Sequence, residues 1–221
     1  MPEATITELA KKLPRLRLHN AYGATETTSP STIMPAEHTI THRDSVGWPV
    51  PCGEILVVGS DGKELPRGEP GELWIRGPMV VPGYWDDPEA TAQAFIRGYW
   101  RSGDVGSIDA EGFVRVFDRL KDMINRGGYK VYSVEVENVL SHHPAVLESA
   151  IVSKPCPVLG ERVHAFVTLK APASEEDLKR FCSARLADYK VPESFTLLDK
   201  PLPRNANGKL LKRELRERQV I

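Results

Sequence analysis

The stretch that decides the fold runs from residue 118 to residue 131 and reads DRLKDMINRGGYKV. Before it the pattern is one of short strands and turns, and after it strands alternate with helices. The charge changes at the same place: residues 1–117 carry 11 Lys and Arg against 16 Asp and Glu, whereas residues 118–221 carry 18 against 14. This change indicates either two modules, the basic one near an anion, or two solvated surfaces of slightly different charge.

On the amino-terminal side of this stretch, spacing and turn residues predict mainly strands. A first helix over residues 5–13 stops at Pro14, because proline cannot continue a helix. Alternating apolar and polar residues then predict strands over 16–18, 54–58 and 71–76, a turn at 60–63, a hairpin around 109–112, and one helix over 87–96 with Pro88 in its first turn.

On the carboxyl-terminal side the pattern predicts a small α+β domain, a sheet with helices on one face. Ser133 is the expected cap of a helix that runs to Leu140, and Ser174 with Asp177 forms a capping box for the next helix. The remaining predicted elements are strands over 146–152, 163–169 and 194–198 and a last helix over 209–218.

Composition excludes several classes of protein. Apolar residues make 41% of the chain and charged residues 27%, which is typical of a globular protein. No apolar run is long enough to cross a bilayer and the first ten residues lack a signal-peptide layout, so we expect a cytoplasmic protein with no transmembrane segment and no nucleic-acid partner. The three cysteines are isolated, which indicates neither a disulfide framework nor a zinc site, and no Walker or dinucleotide-binding glycine motif occurs.

The loop over residues 22–30, YGATETTSP, combines hydroxyl groups with one carboxylate. Five of its nine residues carry hydroxyls, which can donate to a phosphate or a carboxylate. Glu26 beside them could hold Mg²⁺, a hard cation that shares oxygen ligands with phosphate. A surface loop with a threonine-rich cap is the alternative.

Two further regions carry chemistry in their pattern. Residues 100–104, WRSGD, and 118–122, DRLKD, bring carboxylates that can accept from both hydroxyls of a ribose, and a guanidinium that can support them. The basic glycine loops over 125–130 and 205–209 allow positive φ and close approach of the backbone to a ligand. Each region alone could equally be an exposed turn.

Taken in order, these segments resemble the carboxyl-terminal part of the adenylate-forming acyl-CoA synthetases, over essentially the whole chain. The matching blocks are YGATE at 22–26, GEL at 71–73 with GYW at 83–85, YWRSGD at 99–104, DRLKDMI at 118–124, GGYKV at 127–131, and PR at 203–204 with NGK at 207–209. The resemblance implies an α+β fold: a β-rich, distorted barrel-like end of a large AMP-binding domain over residues 1–118, then a small mobile α+β domain over 119–221 whose sheet is flanked by helices.

The resemblance also implies roles for individual residues. In the first domain Tyr22 would stack on adenine in a loop with Gly23, Thr25 would touch the phosphate or acyl carboxylate, Glu26 would bind Mg²⁺, and Asp104 would take the ribose hydroxyls with support from Arg119. In the second domain Lys121 would be the hinge, Gly128 would line the pantetheine channel, Lys130 would lie near the nucleotide phosphate, and Lys209 would be the lysine of the adenylation step.

The activity so implied is an ATP-dependent acid–CoA ligase that uses ATP, Mg²⁺ and coenzyme A on a carboxylic acid, a fatty or related one. Family members are well over twice this length and carry a phosphate loop and acyl-pocket walls that are not in these residues. We therefore expect a fragment that needs the missing amino-terminal portion of its own chain and is inactive alone. The alternatives are a non-catalytic nucleotide-binding or partner-binding module, and part of an adenylation enzyme that serves a carrier protein.

Overall fold

The computed structural model describes residues 3–206 and 208–217, and the chain divides into two compact units, 1–120 and 121–221. The predicted α+β class, with a β-rich first part, is confirmed. Asn207 of the last sequence motif and Arg218 at the predicted end of the last helix lie outside the described residues. No helix in the part of the chain that the structure describes is long and apolar enough to span a membrane.

The first unit consists mainly of antiparallel strands. Its elements are α1 (Glu3–Lys12), β1 (Ala21–Tyr22), β2 (Thr32–Ile33), β3 (Trp48–Pro49), β4 (Glu54–Val58), β5 (Gly71–Arg76), α2 (Pro88–Ala94), β6 (Phe95–Ile96), β7 (Tyr99–Ile108) and β8 (Val114–Arg119). Strands β1, β2 and β3 form one small sheet, and the others form a sheet in the order β4-β5-β7-β6 with β8 also paired to β7.

The larger sheet of this unit is a curled half-barrel. Strand β7 is long enough to pair with β6 near its start and with β8 along its second half, which begins with Asp104 opposite Arg119. Register shifts in the β5–β7 and β7–β8 ladders interrupt the pairing, and bulges of this kind increase twist and bend a sheet. One face buries an apolar cluster from β4, β5, β7 and β8, including Leu73, Ile75 and Trp100.

The second unit is a mixed sheet with helices. Its elements are β9 (Ile124–Arg126), β10 (Tyr129–Val131), α3 (Ser133–Ser141), β11 (Val146–Cys156), β12 (Gly160–Leu169), α4 (Glu175–Ser183), β13 (Ser194–Leu198) and α5 (Lys212–Glu217). The sheet order is β10-β9-β12-β11, and β13 runs parallel to β12.

Helices cover both faces of this second sheet, so the expectation of helices on one face is wrong, while a sheet flanked by helices is confirmed. On one face, Leu140 of α3 and Leu178 of α4 belong to the same buried cluster as Ile151. Helix α5 packs Leu215 against Ala150 and Val152 on the other. Because successive strand residues point to opposite faces, Ala150, Ile151 and Val152 require cover on both sides.

Other local predictions also need correction. Residues 16–18 are not a strand; Leu16 is half exposed, and no strand pairs with this segment within the described chain. The helix predicted over 87–96 is shorter: α2 begins at Pro88 after its cap, Asp87, and ends at Ala94, because Phe95–Ile96 pairs with β7. Ser133 lies inside α3 as its first residue, and its hydroxyl accepts from Lys212 Nζ at 2.5 Å. Helix α5 begins at Lys212, so Lys209 lies in the loop before it.

Candidate functional site

The loop after β1 carries Thr25 and Glu26 in a single 3₁₀ turn, Thr25–Thr27. Buried Thr27 holds the turn from inside: its hydroxyl accepts from the Ala24 N–H at 3.0 Å and from Ser31 Oγ at 2.8 Å. The Thr28 hydroxyl donates to the Met79 carbonyl at 2.8 Å. Several of the hydroxyls predicted as ligand donors therefore stabilise the loop itself, while Thr25 remains exposed.

Gly23 allows the loop to fold back on itself. A Cβ at this position would lie 2.8 Å from Ser29 Oγ and 3.1 Å from the Pro30 Cα atom. The second distance involves backbone, so any larger residue would shift the loop. Gly23 is thus required because the chain at Ser29 and Pro30 approaches it closely.

Glu26 points toward Tyr84, a residue to which sequence reasoning gave no role. The Tyr84 hydroxyl donates to Glu26 Oε1 at 2.9 Å, and the Val81 N–H donates to the Glu26 carbonyl at 2.9 Å. Burial raises the pKa of Tyr84, and the hydrogen bond to Glu26 adds to this, so the phenol stays a donor. The signal for it was the GYW block at 83–85, which matched the family without an assigned function.

Asp104 lies at the centre of the first unit's polar cluster. Its Oδ2 accepts from the Tyr22 hydroxyl at 2.6 Å and its Oδ1 accepts from Arg119 Nε at 2.8 Å. The backbone N–H of Asp104 donates to Ser102 Oγ at 3.0 Å, and the Ser102 carbonyl accepts from Arg119 Nη2 at 3.2 Å. The side chain of Asp104 is only 13% exposed, so its carboxylate is held in one orientation near the middle of β7.

Tyr22 contributes its hydroxyl to this cluster as well as its ring. Burial, together with the adjacent Asp104 carboxylate, raises the pKa of Tyr22 far above its ordinary value. The phenol therefore remains protonated and donates. The structure brings Tyr22, Asp104 and Arg119 into direct contact, and links Glu26 to Tyr84 in the same unit.

The described residues offer little to a metal ion on their own. No group of three or more His, Cys, Asp or Glu side chains in 3–206 and 208–217 could hold one. Glu26 is a single, partly exposed carboxylate that Tyr84 orients. Mg²⁺ commonly binds one or two carboxylates and takes its remaining ligands from a bound phosphate and water. The residues therefore fit a magnesium ion shared with a ligand, not one held by protein alone.

The second unit holds the other predicted residues. Lys121 is its first residue, and the Lys121 carbonyl accepts from Arg216 Nη2 at 3.3 Å. Arg216 also donates to Asp122 Oδ1 at 2.5 Å.

Gly128, at φ +92°, lies in the turn of the β9–β10 hairpin, and a Cβ built there would meet open space. Its N–H donates to Asn125 Oδ1 at 3.1 Å. Lys130 follows in β10 and is exposed.

Lys209 lies in a closed loop between β13 and α5. Its N–H donates to Asn205 Oδ1 at 2.8 Å and its carbonyl accepts from the Asn205 N–H at 2.9 Å. The side chain is exposed. An ammonium on a long, exposed stem can reach an anion outside the unit, provided that its backbone is fixed.

Two family models match the chain: "AMP-binding enzyme" over residues 1–85 and "AMP-binding enzyme C-terminal domain" over residues 135–209. The chain is 41% identical over 216 residues to a long-chain-fatty-acid–CoA ligase of Escherichia coli O6:H1. The match covers 97% of this chain and 38% of the relative. It is 43% identical over 201 residues to a 2-succinylbenzoate–CoA ligase of Geobacillus kaustophilus, covering 90% and 41%.

Solved structures of a CoA synthetase also superpose on this chain. The o-succinylbenzoate CoA synthetase of Bacillus subtilis, in complex with the acyl-adenylate intermediate OSB-AMP, superposes with a TM-score of 0.91 at 36% identity, over 97% of this chain and 43% of that one. The same enzyme with ATP and magnesium ion gives a TM-score of 0.90. The chain spans about two fifths of the length of the curated relatives it matches.

Proposed function

The chain belongs to the AMP-binding, adenylate-forming enzyme family, and from this premise we propose that it supplies the carboxyl-terminal part of an ATP-dependent acid–CoA ligase. In the first step the oxygen of a carboxylate attacks the α-phosphate of ATP and pyrophosphate leaves, which gives an acyl-adenylate. In the second step the thiolate of coenzyme A attacks the acyl carbon and AMP leaves. The names of the relatives, which are CoA ligases, support coenzyme A as the acceptor.

The observation that carries the proposal is the contact between Tyr22, Asp104 and Arg119. A fixed carboxylate is a good acceptor for the two hydroxyls of a ribose, and Asp104 is held by one donor on each of its oxygens. Tyr22 beside it would stack on the adenine. We assign the nucleoside of ATP and AMP to this cluster.

The phosphates would then lie along the loop after β1. Thr25 is the exposed hydroxyl of the turn and would contact a phosphate or the acyl carboxylate. Glu26, oriented by Tyr84, would hold Mg²⁺, which when bound neutralises charge on the phosphates. A bound phosphate would supply the ligands that the protein itself lacks around Glu26.

The second unit would bring the groups that differ between the two steps. Attack on the α-phosphate brings two anions together, so a fixed cation aimed there lowers the barrier most, and Lys209 suits this task. Gly128 would line the path of pantetheine in the thioester step, with Lys130 near the nucleotide phosphate. Such an exchange of groups needs a hinge between a large domain and a small mobile one.

We place this hinge at Lys121, within the segment 118–121 that joins the two domains. The Leu120 N–H donates to the Gly103 carbonyl of the first unit at 2.7 Å, whereas the Lys121 carbonyl is bound by Arg216 of the second. The anchoring therefore changes from one unit to the other between two consecutive residues, which supports a pivot there.

A chimaera tests the proposal directly. The matched residues of the Escherichia coli O6:H1 relative are replaced by this chain, and acyl-adenylate and CoA-thioester formation are measured separately. We expect both steps to proceed, and Lys209→Ala to lower acyl-adenylate formation about 100-fold or more, the order found when a charge-stabilising donor is removed. Thioester formation from supplied acyl-adenylate should be nearly unchanged.

Lys200→Ala is the matched control, since Lys200 is also an exposed lysine of the second unit. Equal loss of both steps in Lys209→Ala would contradict the role of Lys209. A chimaera that folds and binds nucleotide but catalyses neither step would favour the non-catalytic module, and transfer to a carrier protein without transfer to coenzyme A would favour the carrier-dependent enzyme.

A further inference from the structure

We propose that Glu148 and Arg204 are positioning residues that fix the backbone of the loop carrying Lys209. Glu148 lies outside the sequence motifs, and Arg204 belongs to the block at 203–209 but has no role assigned to it; both residues lie in the second unit. Only the catalytic consequence rests on the role proposed above for Lys209; the structural part does not.

Glu148 connects the loop to the sheet. It lies on β11 at a register shift, and both of its carboxylate oxygens accept hydrogen bonds from the segment that leads into the loop. Oε1 accepts from the Leu202 N–H at 2.8 Å, and Oε2 accepts from Arg204 Nη2 at 2.6 Å. Burial acts against ionisation of Glu148, but these two donors outweigh it and lower its pKa. The carboxylate thus stays charged at neutral pH and keeps both hydrogen bonds.

Arg204 extends this connection across the loop. Gly208 is the residue that precedes Lys209. While Nη2 of Arg204 donates to Glu148, Nη1 donates to the Gly208 carbonyl at 2.9 Å. The planar guanidinium presents both donors in a fixed geometry, so the Gly208 carbonyl is held at a set distance from β11. Arg204 also pairs with Leu210 through an isolated β-bridge, which closes the loop from its other end.

Gly208 lies at an exposed position of this loop. Its φ is +78°, and a Cβ built there would meet no atom within 4 Å. Leu210 packs against the apolar cluster that includes Ala150 and Val152, and hydrogen bonds join Asn205 to Lys209 within the loop. The path from Glu148 through Arg204 to Gly208 adds a charged connection from the sheet to the residue that precedes Lys209.

Cleavage by endoproteinase Lys-C after Lys209 measures this directly in the 221-residue chain. The variants are Arg204→Gln, Glu148→Gln and the double variant, with cleavage after Lys170 as the internal reference. We expect each single variant to speed cleavage after Lys209 about tenfold relative to Lys170, the order expected when a hydrogen bond to a charged group is removed. The double variant should be no faster than the faster single one, because the two residues act through each other.

Arg213→Gln is the matched control, since it removes an arginine from an exposed pair on α5. Unchanged cleavage after Lys209, additive effects in the double variant, or a parallel rise at Lys170 would each overturn the proposal. In the chimaera, the same variants should lower acyl-adenylate formation about tenfold and leave thioester formation unchanged. Fast cleavage with unimpaired adenylation would refute the role of Lys209 while leaving the positioning contact standing.

Discussion

The side chain of Tyr22 combines two interactions that a substitution can separate. Its ring is available for stacking on adenine, and its hydroxyl donates to Asp104 Oδ2 at 2.6 Å. Tyr22→Phe removes only the hydroxyl, so we expect the KM for ATP in the chimaera to rise about fivefold, the equivalent of about 1 kcal/mol for one hydrogen bond. Tyr22→Ala also removes the ring, and a further loss of about 1–3 kcal/mol is typical of a lost base–aromatic stack.

Tyr99→Phe is the control for this pair, because the Tyr99 hydroxyl donates to Glu54 at 2.6 Å in the same unit without belonging to the Asp104 cluster. Steady-state ATP titrations of the three variants decide the matter. If Tyr22→Phe and Tyr22→Ala raise the KM equally, the ring does not stack on the base and the assigned position of adenine is wrong.

Contacts between residues differed greatly in how far sequence could predict them. Asp104 pairs with Arg119 because β7 and β8 form a hairpin, and the turn residues at 109–112 predicted this hairpin. The contact of Tyr22 with Asp104 joins residues 82 positions apart and depends on how β1 meets β7. The hydrogen bond from Tyr84 to Glu26 joins residues 58 positions apart. Nothing in local pattern reports such contacts, because they arise from tertiary packing.

Among the elements, β12 carries a buried imidazole that ties stability to pH. His164 is 4% exposed and contacts Ser194 Oγ at 2.7 Å and Thr196 Oγ1 at 3.0 Å of β13. Burial, with a smaller effect of the positive charge of Lys154, lowers the pKa of His164 to about 4 from an ordinary value of 6.5. The imidazole is therefore neutral in the folded protein.

The sign of the pH effect follows from that difference. Because the unfolded chain binds the proton first as the pH falls, the contribution of His164 is complete above about pH 6.5 and is lost progressively toward pH 4, by up to about 3 kcal/mol. Urea unfolding followed by far-UV circular dichroism at several pH values should show this loss, and His164→Gln should reduce it. His142→Gln, an exposed histidine after α3, should retain it; an unchanged profile in His164→Gln would contradict the assignment.

Elements were predicted well where one pattern decided them. The strands at 54–58, 71–76 and 194–198 were predicted with their observed bounds, since each is short and lies between turn or loop residues. Residues 16–18 alternate in the same way, but a strand needs a partner and none of the described strands pairs with them. The second cover on the sheet of the second unit was readable from three consecutive apolar residues, Ala150, Ile151 and Val152, which a one-sided sheet would not bury.

For the whole molecule, the division into two units predicts two unfolding events. Each described apolar cluster draws its buried residues from one unit alone, and separate cores of this kind can unfold separately. All four tryptophans, at positions 48, 74, 85 and 100, belong to the first unit. Tryptophan fluorescence therefore reports the first unit, whereas far-UV circular dichroism reports both.

Arg216→Ala uses this difference to test the independence of the units. The substitution removes the donor to Asp122, whose side chain is 13% exposed, and to the Lys121 carbonyl, so we expect the second unit to lose about 1–3 kcal/mol of unfolding free energy. The circular dichroism transition should shift in part, while the fluorescence midpoint stays unchanged. Arg213→Ala, which breaks an exposed pair on the same helix, should cost less than about 0.5 kcal/mol. A fluorescence midpoint that falls together with the circular dichroism transition in Arg216→Ala would mean that the units unfold as one body, and a pivot at Lys121 would then lose its structural basis.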